Sequence, residues 1–590
     1  MNRIDRVRSR LLAPLVLAAW ALAACNDVDS GSNLAPIEPL RVIEGSFTSE
    51  MQGSYVMVPF DVPAGTTQIR VKYSWDQPDA ATDGSKHTID LGLWQPGPTP
   101  DLWESPQFRG WGGSSHPDVT ITEQGFSTEA EYLDAPKGHV PGRTTRGFLP
   151  GPIPAGKWAA ELGVAAVVPV EQGDSDGRVR WRVEIELSSD PAFAAEPYAA
   201  TPYDETPASR DGRWYAGDMH LHGEHSALGD ATMTEVFDYA FGPLGAQGAG
   251  LDFVTLTDYV TPSAWGEIGR YQAAHPGKLV VRSSEIITYK GHTNNHASLA
   301  YADHRTGPVV VRRGEDDYAP MRAARPPSEI FDVVHANGGV TQINHPTIFP
   351  SSNPSFRRLC RGCPWDFTEE ETDFSKVDAI EIQTGPAALG DNPNPFTLTA
   401  IEFWEHALDR GHRIAAVGAS DSHRAGRTGD ATQSPIGKPT TMVWARELSE
   451  TGIKEAVRGR HTWVKLLGGA GPDVLLEADG GGRHAIVGDA IETDRADFVA
   501  RVSGVPDDGK AWTLEVVRDG VVEQSVAVSA PGVELRFEGE APSRWRLQLL
   551  RGAVVAAVTS PIWLDAPRQG PVADAGCAAD GEPSVRRARG

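Results

Sequence analysis

The ten residues "GDMHLHGEHS", Gly217–Ser226, hold three histidines and two acids in a chain with only 17 histidines among 590 residues. On a β-strand, residues two apart point to the same face, so His220 and His222 would direct both imidazoles to one point. A metal ion would explain this pair, although an H-x-H pattern also occurs in ordinary polar strands. The prediction of a metal site therefore depends on further ligands elsewhere in the chain.

The surrounding segment, residues 213–466, alternates short apolar runs with helical patterns. The runs "LDFVTLTD", "KLVVRSSEI", "GGVTQINHP", "VDAIEIQTG" and "RIAAVGASDSH" are typical of buried strands. Between them, "SAWGEIGRYQAAH", "PPSEIFDVVHANGG" and "PFTLTAIEFWEHALDRGH" have helical spacing. Repetition of strand and helix predicts buried parallel strands in a central α/β domain.

Ionisable residues close these apolar runs. In a closed α/β barrel, the carboxyl ends of the strands bring side chains from distant segments together. The residues that we expect to face one bowl are His220, His222, Asp258, Glu285, His345, Asp421 and His423.

Five segments, in this order and spacing, resemble the polymerase-and-histidinol-phosphatase (PHP) domain: "GDMHLHGEHS", "LTDY", "SSEIITYKGHTNNHASL", "INHP" and "GASDSH". The resemblance covers about 250 residues and rests on the five motifs together, since each alone is weak. The long form with flanking β-domains resembles the carbaryl-hydrolase-like branch of PHP metallohydrolases. The resemblance implies a distorted (β/α)7 barrel that holds divalent metal ions.

By this resemblance the centre holds two or three ions of Zn, Mn or Fe, with Glu285 bridging two of them. The first ion would be bound by His220, His222, Glu285 and Asp421, and the second by Glu285, His292 and His345. Imidazoles and carboxylates suit these metals, and a shared carboxylate suits paired ions. His296 competes with His292 for the second ion, and His292 is favoured because it follows glycine, as in the motif.

A third ion is where the sequence departs from the family. The family has Asp-His after the second strand, whereas here Asp258 precedes Tyr259, which removes an imidazole expected to bind the third ion with His423. Leu228 stands at another position where the family has histidine. Compensating ligands would be Glu224, His225 or Asp230, for each of which a structural role is favoured. We therefore expect a weak or absent third ion, which would leave His423 to contact substrate or act as an acid.

The resemblance implies a hydrolase in which a metal-bridging hydroxide attacks a phosphate ester or a carboxylic or carbamate-type ester of a small molecule. The candidate acids for the leaving group are Asp258, His296 and His423. Tyr259 is a candidate to bind a substrate oxygen, and Arg424 to bind an anionic group of the substrate.

Two other functional classes compete with this prediction. One is a surface-anchored glycan-binding lipoprotein with a non-catalytic barrel, for which Trp94, Trp103 and Trp111 would form the sugar-binding face; core packing is favoured for these three residues. The other is an amidase or deacetylase of envelope polymers. A nearly complete ligand set argues against a non-catalytic barrel, because unused buried charges are costly.

The flanking regions alternate apolar and polar residues with a period of two, which predicts β-structure. Residues 40–189 are predicted to form a β-sandwich-like domain, and residues 190–212 a Pro-rich connector. Residues 467–565 are predicted to form a small β-domain with a hairpin turn at Asp519–Gly520. Residues 566–590, which include Cys577, have the composition of a disordered tail.

The amino terminus is typical of an export signal. Four arginines precede the apolar run from Leu11 to Cys25, and Leu22–Cys25 resembles a bacterial lipobox. Residues 1–25 are thus predicted to be a lipoprotein-type signal peptide, and residues 26–39 a flexible tether. The lipidated Cys25 would anchor the exported protein to a bacterial membrane, facing the periplasm or the cell exterior. The alternative is a plain secretory signal.

The formal net charge of −25 makes nucleic acid an unfavourable partner, and the sequence carries no prediction of oligomeric state. In an oxidising compartment, Cys360 and Cys363 are predicted to form a disulfide rather than half of a zinc site. Their loop, "RRLCRGCPWDF", is predicted to be a lid or wall of the substrate mouth with Trp365 and Phe367 as an apolar rim, or a purely structural clasp.

Overall fold

The computed structural model describes residues 40–567, except 82–83, 100–102, 135–138, 307–309, 312–319, 354–355, 357–359, 391 and 428–433. The predicted signal peptide, the tether and residues 568–590 lie outside the described residues, as do Cys25 and Cys577. Within these ranges, no helix combines the length and apolar composition that crossing a bilayer requires. The fold is multidomain and mostly β-strand, with few helices.

The amino-terminal region consists of two facing antiparallel sheets. Its elements are β1 (Arg41–Thr48), β2 (Tyr55–Val62), β3 (Gln68–Trp75), β4 (Thr88–Trp94), β5 (Phe108–Gly113), β6 (Asp118–Thr122), α1 (Glu129–Asp134), β7 (Gly156–Ala166) and β8 (Arg178–Ser188). One sheet has the order β1-β8-β3-β6, and the other contains β2-β7-β4-β5. The side chains of Trp94, Trp103 and Trp111 are buried, which confirms core packing for them.

The middle region alternates strands and helices. Its elements are β9 (Arg213–Leu221), α2 (Met233–Phe241), β10 (Phe253–Leu256), α3 (Trp265–Ala274), β11 (Leu279–Thr288), β12 (Gly291–His296), β13 (Val310–Val311), β14 (Pro320–Arg322), α4 (Pro327–Ala336), β15 (Val340–Ile343), α5 (Glu369–Thr372), β16 (Ala379–Thr384), β17 (Ala388–Leu389), β18 (Asn392–Pro393), α6 (Pro395–Asp409), β19 (Ala415–Ala419), β20 (Thr440–Ala445), α7 (Glu450–Arg458) and β21 (Thr462–Lys465). The five apolar runs and three helical patterns of the sequence lie on these strands and helices.

Seven strands of this region follow the order β19-β16-β15-β12-β11-β10-β9. Neighbours are parallel except on both sides of β12, which pairs antiparallel with β11 and β15. The predicted parallel pairing is confirmed for the other strands, and β12 is the exception, because the two-residue turn between Thr288 and Gly291 can join only antiparallel strands.

The last of these strands returns to the first at the end where the predicted ligands lie. The backbone N–H of Asp421 donates to the carbonyl of His220 at 2.9 Å, and that of His222 donates to the carbonyl of Ser422 at 2.9 Å. His220 at the end of β9 and His222 just after it are thus adjacent to Asp421, which follows β19, although about 200 residues separate them in sequence.

The carboxyl-terminal region adds two more sheet layers. Its elements are β22 (Asp473–Gly480), β23 (Arg483–Ile486), β24 (Ala490–Glu492), β25 (Arg495–Ser503), β26 (Trp512–Arg518), β27 (Val521–Val528), β28 (Gly532–Glu540), β29 (Ser543–Arg551), β30 (Val554–Thr559) and β31 (Ile562–Asp565). One layer, β30-β29-β26-β27, continues the middle sheet through β20 and β21, and the other has the order β23-β22-β25-β28. Asp519 and Gly520 form the predicted turn between β26 and β27.

The amino-terminal region and the middle region are interwoven. Strand β14, which lies within residues 213–466, pairs with β2 and so extends the amino-terminal sheet. Near it, the buried Arg305 guanidinium binds Glu161 of β7 at 2.7 Å. The two regions therefore share a sheet and a buried ion pair. The amino-terminal region also contacts the ligand-bearing end of the middle strands, where the hydroxyl of Tyr289 donates to Asp90 at 2.8 Å.

Candidate metal centre

Glu285 lies at the centre of four imidazoles. Its Oε1 atom is 3.2 Å from Nδ1 of His292 and 3.4 Å from Nε2 of His345. Its Oε2 atom is 3.4 Å from Nε2 of His220 and 3.5 Å from Nε2 of His222. Each carboxylate oxygen thus faces its own pair of histidines, which is the arrangement that a carboxylate bridging two cations needs.

Asp421 completes one side of this cluster. Its Oδ1 atom is 3.4 Å from Nε2 of His220 and 3.1 Å from Nε2 of His222. The ligand atoms of His220, His222 and Asp421 all lie within 4.8 Å of one another, and so do those of His220, Glu285 and His345. We call the six residues His220, His222, Glu285, His292, His345 and Asp421 the metal cluster.

The charges of the metal cluster show how strongly it attracts a cation. Burial lowers the pKa of His220, but the carboxylates around it, above all Glu285 and Asp421, outweigh burial and raise that pKa well above its usual value. Burial raises the pKa of Glu285, but protonated His220 and hydrogen bonds from the surrounding imidazoles outweigh burial and hold it well below its usual value. The field that holds a proton on His220 would equally favour a metal cation.

Unused donor atoms in the cluster fit this chemistry. Nε2 of His292 is buried and has no hydrogen-bond partner among the described residues, and Nε2 of His220 is buried beside two carboxylate oxygens at 3.4 Å. Buried polar atoms are normally satisfied, so the free nitrogen of His292 calls for a ligand. Four imidazoles and two carboxylates are a donor set suited to Zn, Mn or Fe. The residues present fit divalent metal ions.

Three ligand histidines have their second ring nitrogen fixed by another group. Nδ1 of His220 is 3.3 Å from Oε2 of Glu381, Nδ1 of His222 is 2.9 Å from Oγ of Ser226, and Nδ1 of His345 donates to the carbonyl of Cys363 at 2.8 Å. A proton on Nδ1 leaves the Nε2 lone pair free for a metal.

Sequence reasoning missed Glu381 and Ser226. Glu381 is fully buried on β16, and its Oε2 also accepts a hydrogen bond from the backbone N–H of His345 at 3.0 Å. A glutamate inside the apolar run "VDAIEIQTG" was the available signal, since buried charges need partners. For Ser226 the sequence offers no comparable signal.

Two ligands sit on strained backbone. His345 has φ of 28° and Asp421 has φ of 50°, both in the left-handed region that non-glycine residues seldom occupy. Such conformations cost about 1–3 kcal/mol each and concentrate at functional sites. Here they are held by the backbone bonds from His345 to Glu381 and from Asp421 to His220.

The structure places His296 deeper in the strands than the cluster. Its ring nitrogens contact Ser283 at 3.2 Å and Gln342 at 3.1 Å. Gln342 donates to Asn344, which in turn donates to Oε1 of Glu285 at 3.1 Å. Burial lowers the pKa of His296 to about 4. His296 therefore reaches Glu285 only through two intervening side chains.

His423 lies beside the cluster and is hydrogen-bonded at both nitrogens. Its Nδ1 donates to the carbonyl of Asp421 at 3.0 Å, so Nε2 accepts from the hydroxyl of Tyr259. Its ring stacks on that of His222 with centroids 4.2 Å apart. Burial, together with the neighbouring His222, lowers the pKa of His423 to about 3. The hydroxyl of Tyr259 thus occupies Nε2 of His423.

The other predicted residues surround this core. Oδ1 of Asp258 accepts from the backbone N–H of Gly223 at 2.8 Å, and its buried Oδ2 has no hydrogen-bond partner among the described residues. Nε of Arg424 is 3.2 Å from Oδ2 of Asp230 at the rim.

Glu224 and His225, two of the three candidate third-site ligands, are engaged elsewhere. Oε1 of Glu224 is 3.0 Å from Nε of Arg146, which belongs to the amino-terminal region. Nε2 of His225 is 2.9 Å from Glu267. A carboxylate oxygen of Glu224, one of Glu267 and a ring nitrogen of His225 lie within 4.8 Å of one another, but the guanidinium of Arg146 already supplies a cation there.

The predicted Cys360–Cys363 disulfide is present. It lies against the metal cluster through the bond from His345 to the carbonyl of Cys363. The expected rim residue Trp365 is instead buried in the core, where its Nε1 donates to Thr372, so this part of the lid prediction is wrong. The reason is that Trp365 fills the space above Gly291, whose missing side chain makes room for the indole.

No family model matches the chain, and neither does any curated protein. It is similar to a solved two-domain protein of Bacteroides vulgatus described as containing a predicted PHP-like metal-dependent phosphoesterase, with 15% identity over 62% of this chain and 99% of that chain. The TM-score is 0.32, so this likeness assigns neither fold nor function to the chain.

Proposed function

We propose that the chain is a metal-dependent hydrolase of the PHP type, in which β9, β10, β11, β12, β15, β16 and β19 form the distorted (β/α)7 barrel. The observation that carries this proposal is the position of Glu285, whose two oxygens each face a separate pair of histidines. His220, His222 and Asp421 would hold one divalent ion with Glu285, and His292 and His345 would hold a second. Bound ions of this kind acidify water toward neutrality and neutralise the developing oxyanion.

The protein's own groups prepare this centre. Glu381, Ser226 and the carbonyl of Cys363 hold the protons on the outer nitrogens of three histidines, so that the inner nitrogens stay available. We assign proton transfer to Oδ2 of Asp258, because this atom is buried and unpartnered among the described residues. We assign substrate contact to the Tyr259–His423 pair, and no role in proton transfer to His296.

The substrate in this proposal is a small-molecule phosphate ester or a carboxylic or carbamate-type ester. A small recess beside His345 is lined by Gln383, Thr384, Phe396 and other residues of β16 and α6. Its volume of about 10 Å³ has room for one water molecule, so a substrate would bind above the recess rather than inside it. Arg424 at the rim would attract an anionic substituent.

We further propose that the enzyme acts outside the cytoplasm, anchored through a lipidated Cys25. Replacing Cys25 with serine should move the protein from the membrane fraction to the soluble fraction without changing its hydrolytic activity. Retention of the variant in the membrane fraction would contradict the anchor and leave the catalytic proposal standing.

The catalytic proposal is tested by elemental analysis of the purified protein beside a panel of p-nitrophenyl phosphate, bis-p-nitrophenyl phosphate and p-nitrophenyl acetate. We expect bound divalent metal, hydrolysis of at least one ester, loss of hydrolysis on chelation and recovery with added metal. His345→Ala should lose metal and activity. The matched control is His406→Ala, because His406 lies on α6 with an exposed side chain paired to Glu369. A fully metal-loaded protein that hydrolyses none of these esters would overturn the proposal.

A further inference from the structure

The disulfide loop brings a sulfur atom next to the metal cluster. One ring nitrogen of His292, one of His345 and the Sγ atom of Cys363 lie within 4.8 Å of one another, and all three residues are buried. The Cys363 carbonyl is also the acceptor for Nδ1 of His345 at 2.8 Å. Cys363 therefore lies beside the proposed site of the second metal ion, and the disulfide prevents its sulfur from acting as a thiolate ligand.

The three donor groups beside the second ion, two imidazoles and a sulfur, are those of a zinc site. Two imidazoles and a thiolate bind Zn and related ions in tetrahedral geometry, where neighbouring donors are about 3.5 Å apart. A small inward movement would bring the three atoms to such separations. Nε2 of His292 is buried and unpartnered among the described residues, so this ring has a free donor atom. A disulfide sulfur is a poor ligand, whereas a thiolate is a strong one.

We propose that opening the Cys360–Cys363 disulfide converts Cys363 into a metal ligand beside His292 and His345. A dithiol would reduce the disulfide: the Sγ–Sγ bond breaks, two cysteine thiols form, and the dithiol is oxidised to its own disulfide. The Cys363 thiol then releases its proton to solvent as the sulfur binds the metal. This inference rests on the proposed metal centre, and it makes the disulfide a redox switch of that centre.

The two states should differ in chemistry. In the closed state the Cys363 carbonyl fixes His345 and the second ion is held by nitrogen and oxygen donors alone. In the open state a thiolate adds negative charge to the ion, which weakens its ability to polarise water and substrate. We therefore expect tighter metal binding, by about tenfold, together with slower hydrolysis in the open state.

Two single substitutions separate the states. Cys360→Ser leaves Cys363 as a free thiol, and Cys363→Ser leaves Cys360 instead, so both lack the disulfide and differ only in which thiol remains. Loaded with Co²⁺, the Cys360→Ser protein should show an intense near-ultraviolet sulfur-to-cobalt absorption, and the Cys363→Ser protein should not.

The wild-type protein provides the same test without a substitution. A trialkylphosphine reduces the disulfide to two thiols, is oxidised to the phosphine oxide with oxygen from water, and adds no sulfur ligand of its own. The sulfur-to-cobalt absorption should appear on reduction and disappear on reoxidation.

The outcomes separate this inference from the proposed function. Cobalt bound in Cys360→Ser and in reduced wild type with only weak visible bands would overturn the sulfur ligand and leave the metal centre intact. Failure of every form of the protein to bind cobalt would overturn the metal centre itself.

Discussion

The chain buries charged side chains in two neighbouring places, and the two groups are balanced differently. At the interface of the amino-terminal and middle regions, Arg305 binds Glu161 at 2.7 Å and Asp303 at 3.1 Å, and Arg322 binds Asp303 at 2.8 Å. We call these four residues the interface cluster. In the metal cluster, by contrast, the ion-pair partners of Glu285 and Asp421 are histidines.

The difference separates a structural role from a functional one. Two guanidiniums and two carboxylates neutralise each other permanently, because arginine does not lose its charge in proteins. Neutral imidazoles supply lone pairs but no charge, so the metal cluster carries an excess of buried negative charge unless it gains protons or metal ions. Both clusters are buried, so burial does not distinguish them. They differ in what balances the carboxylates, which is arginine in the interface cluster and protons or metal ions in the metal cluster.

The largest expected effect is that of Glu285→Gln, which removes the carboxylate shared by all four imidazoles. Hydrolysis should fall at least about 1,000-fold, or about 4 kcal/mol of transition-state stabilisation, and bound metal should be lost. The unfolding free energy of the metal-free protein should change little, because His220 can release its proton when its carboxylate partner is removed. Kinetics, elemental analysis and chemical denaturation measure the three quantities. Full retention of metal would contradict the bridging role.

Glu161→Gln is the matched change in the interface cluster and should give the opposite result. Removing one partner of a buried ion pair leaves Arg305 partly uncompensated and should lower the unfolding free energy by about 3–5 kcal/mol. Bound metal per folded molecule should stay unchanged. Chemical denaturation and elemental analysis on both variants complete the comparison, and a loss of metal in Glu161→Gln would show that the clusters are not independent.

The sequence predicted the elements of the middle region well because periodicity and motif order are local properties. The ligands at or near the ends of β9, β11 and β19 could be identified because each is an ionisable residue at the end of an apolar stretch. The antiparallel β12 was not predicted, because the two-residue turn that separates it from β11 was not identified within the motif "SSEIITYKGHTNNHASL". The interface cluster was missed because Glu161 and Arg305 are 144 residues apart and neither lies in a motif.

A pH-dependent effect should come from Asp90, which lies in the same interface but is bonded to Tyr289 at 2.8 Å rather than to arginine. Burial raises the pKa of Asp90 to about 6. Folding thus favours its protonated form, so the stability that this proton contributes is present below about pH 4 and lost as the pH rises to about 6. The loss should be about 2–3 kcal/mol. In Asp90→Asn this part of the pH dependence should vanish. If the unfolding free energies of the variant and the wild type instead change in parallel with pH, Asp90 is not the group responsible.

The smallest effect should come from a residue that orients a ligand without binding metal. Oγ of Ser226 is 2.9 Å from Nδ1 of His222, and Oγ of Ser263 is 3.1 Å from Nδ1 of His225, which lies outside the metal cluster. Ser226→Ala should weaken metal binding about tenfold, or about 1.4 kcal/mol, because the ring of His222 loses its fixed orientation. Ser263→Ala removes the same kind of contact and should leave metal affinity unchanged in a competition titration with a chelator. Equal losses of metal affinity in both variants would mean that each serine acts only by stabilising the fold locally. Metal binding by the metal cluster would then not depend on the orientation of the His222 ring.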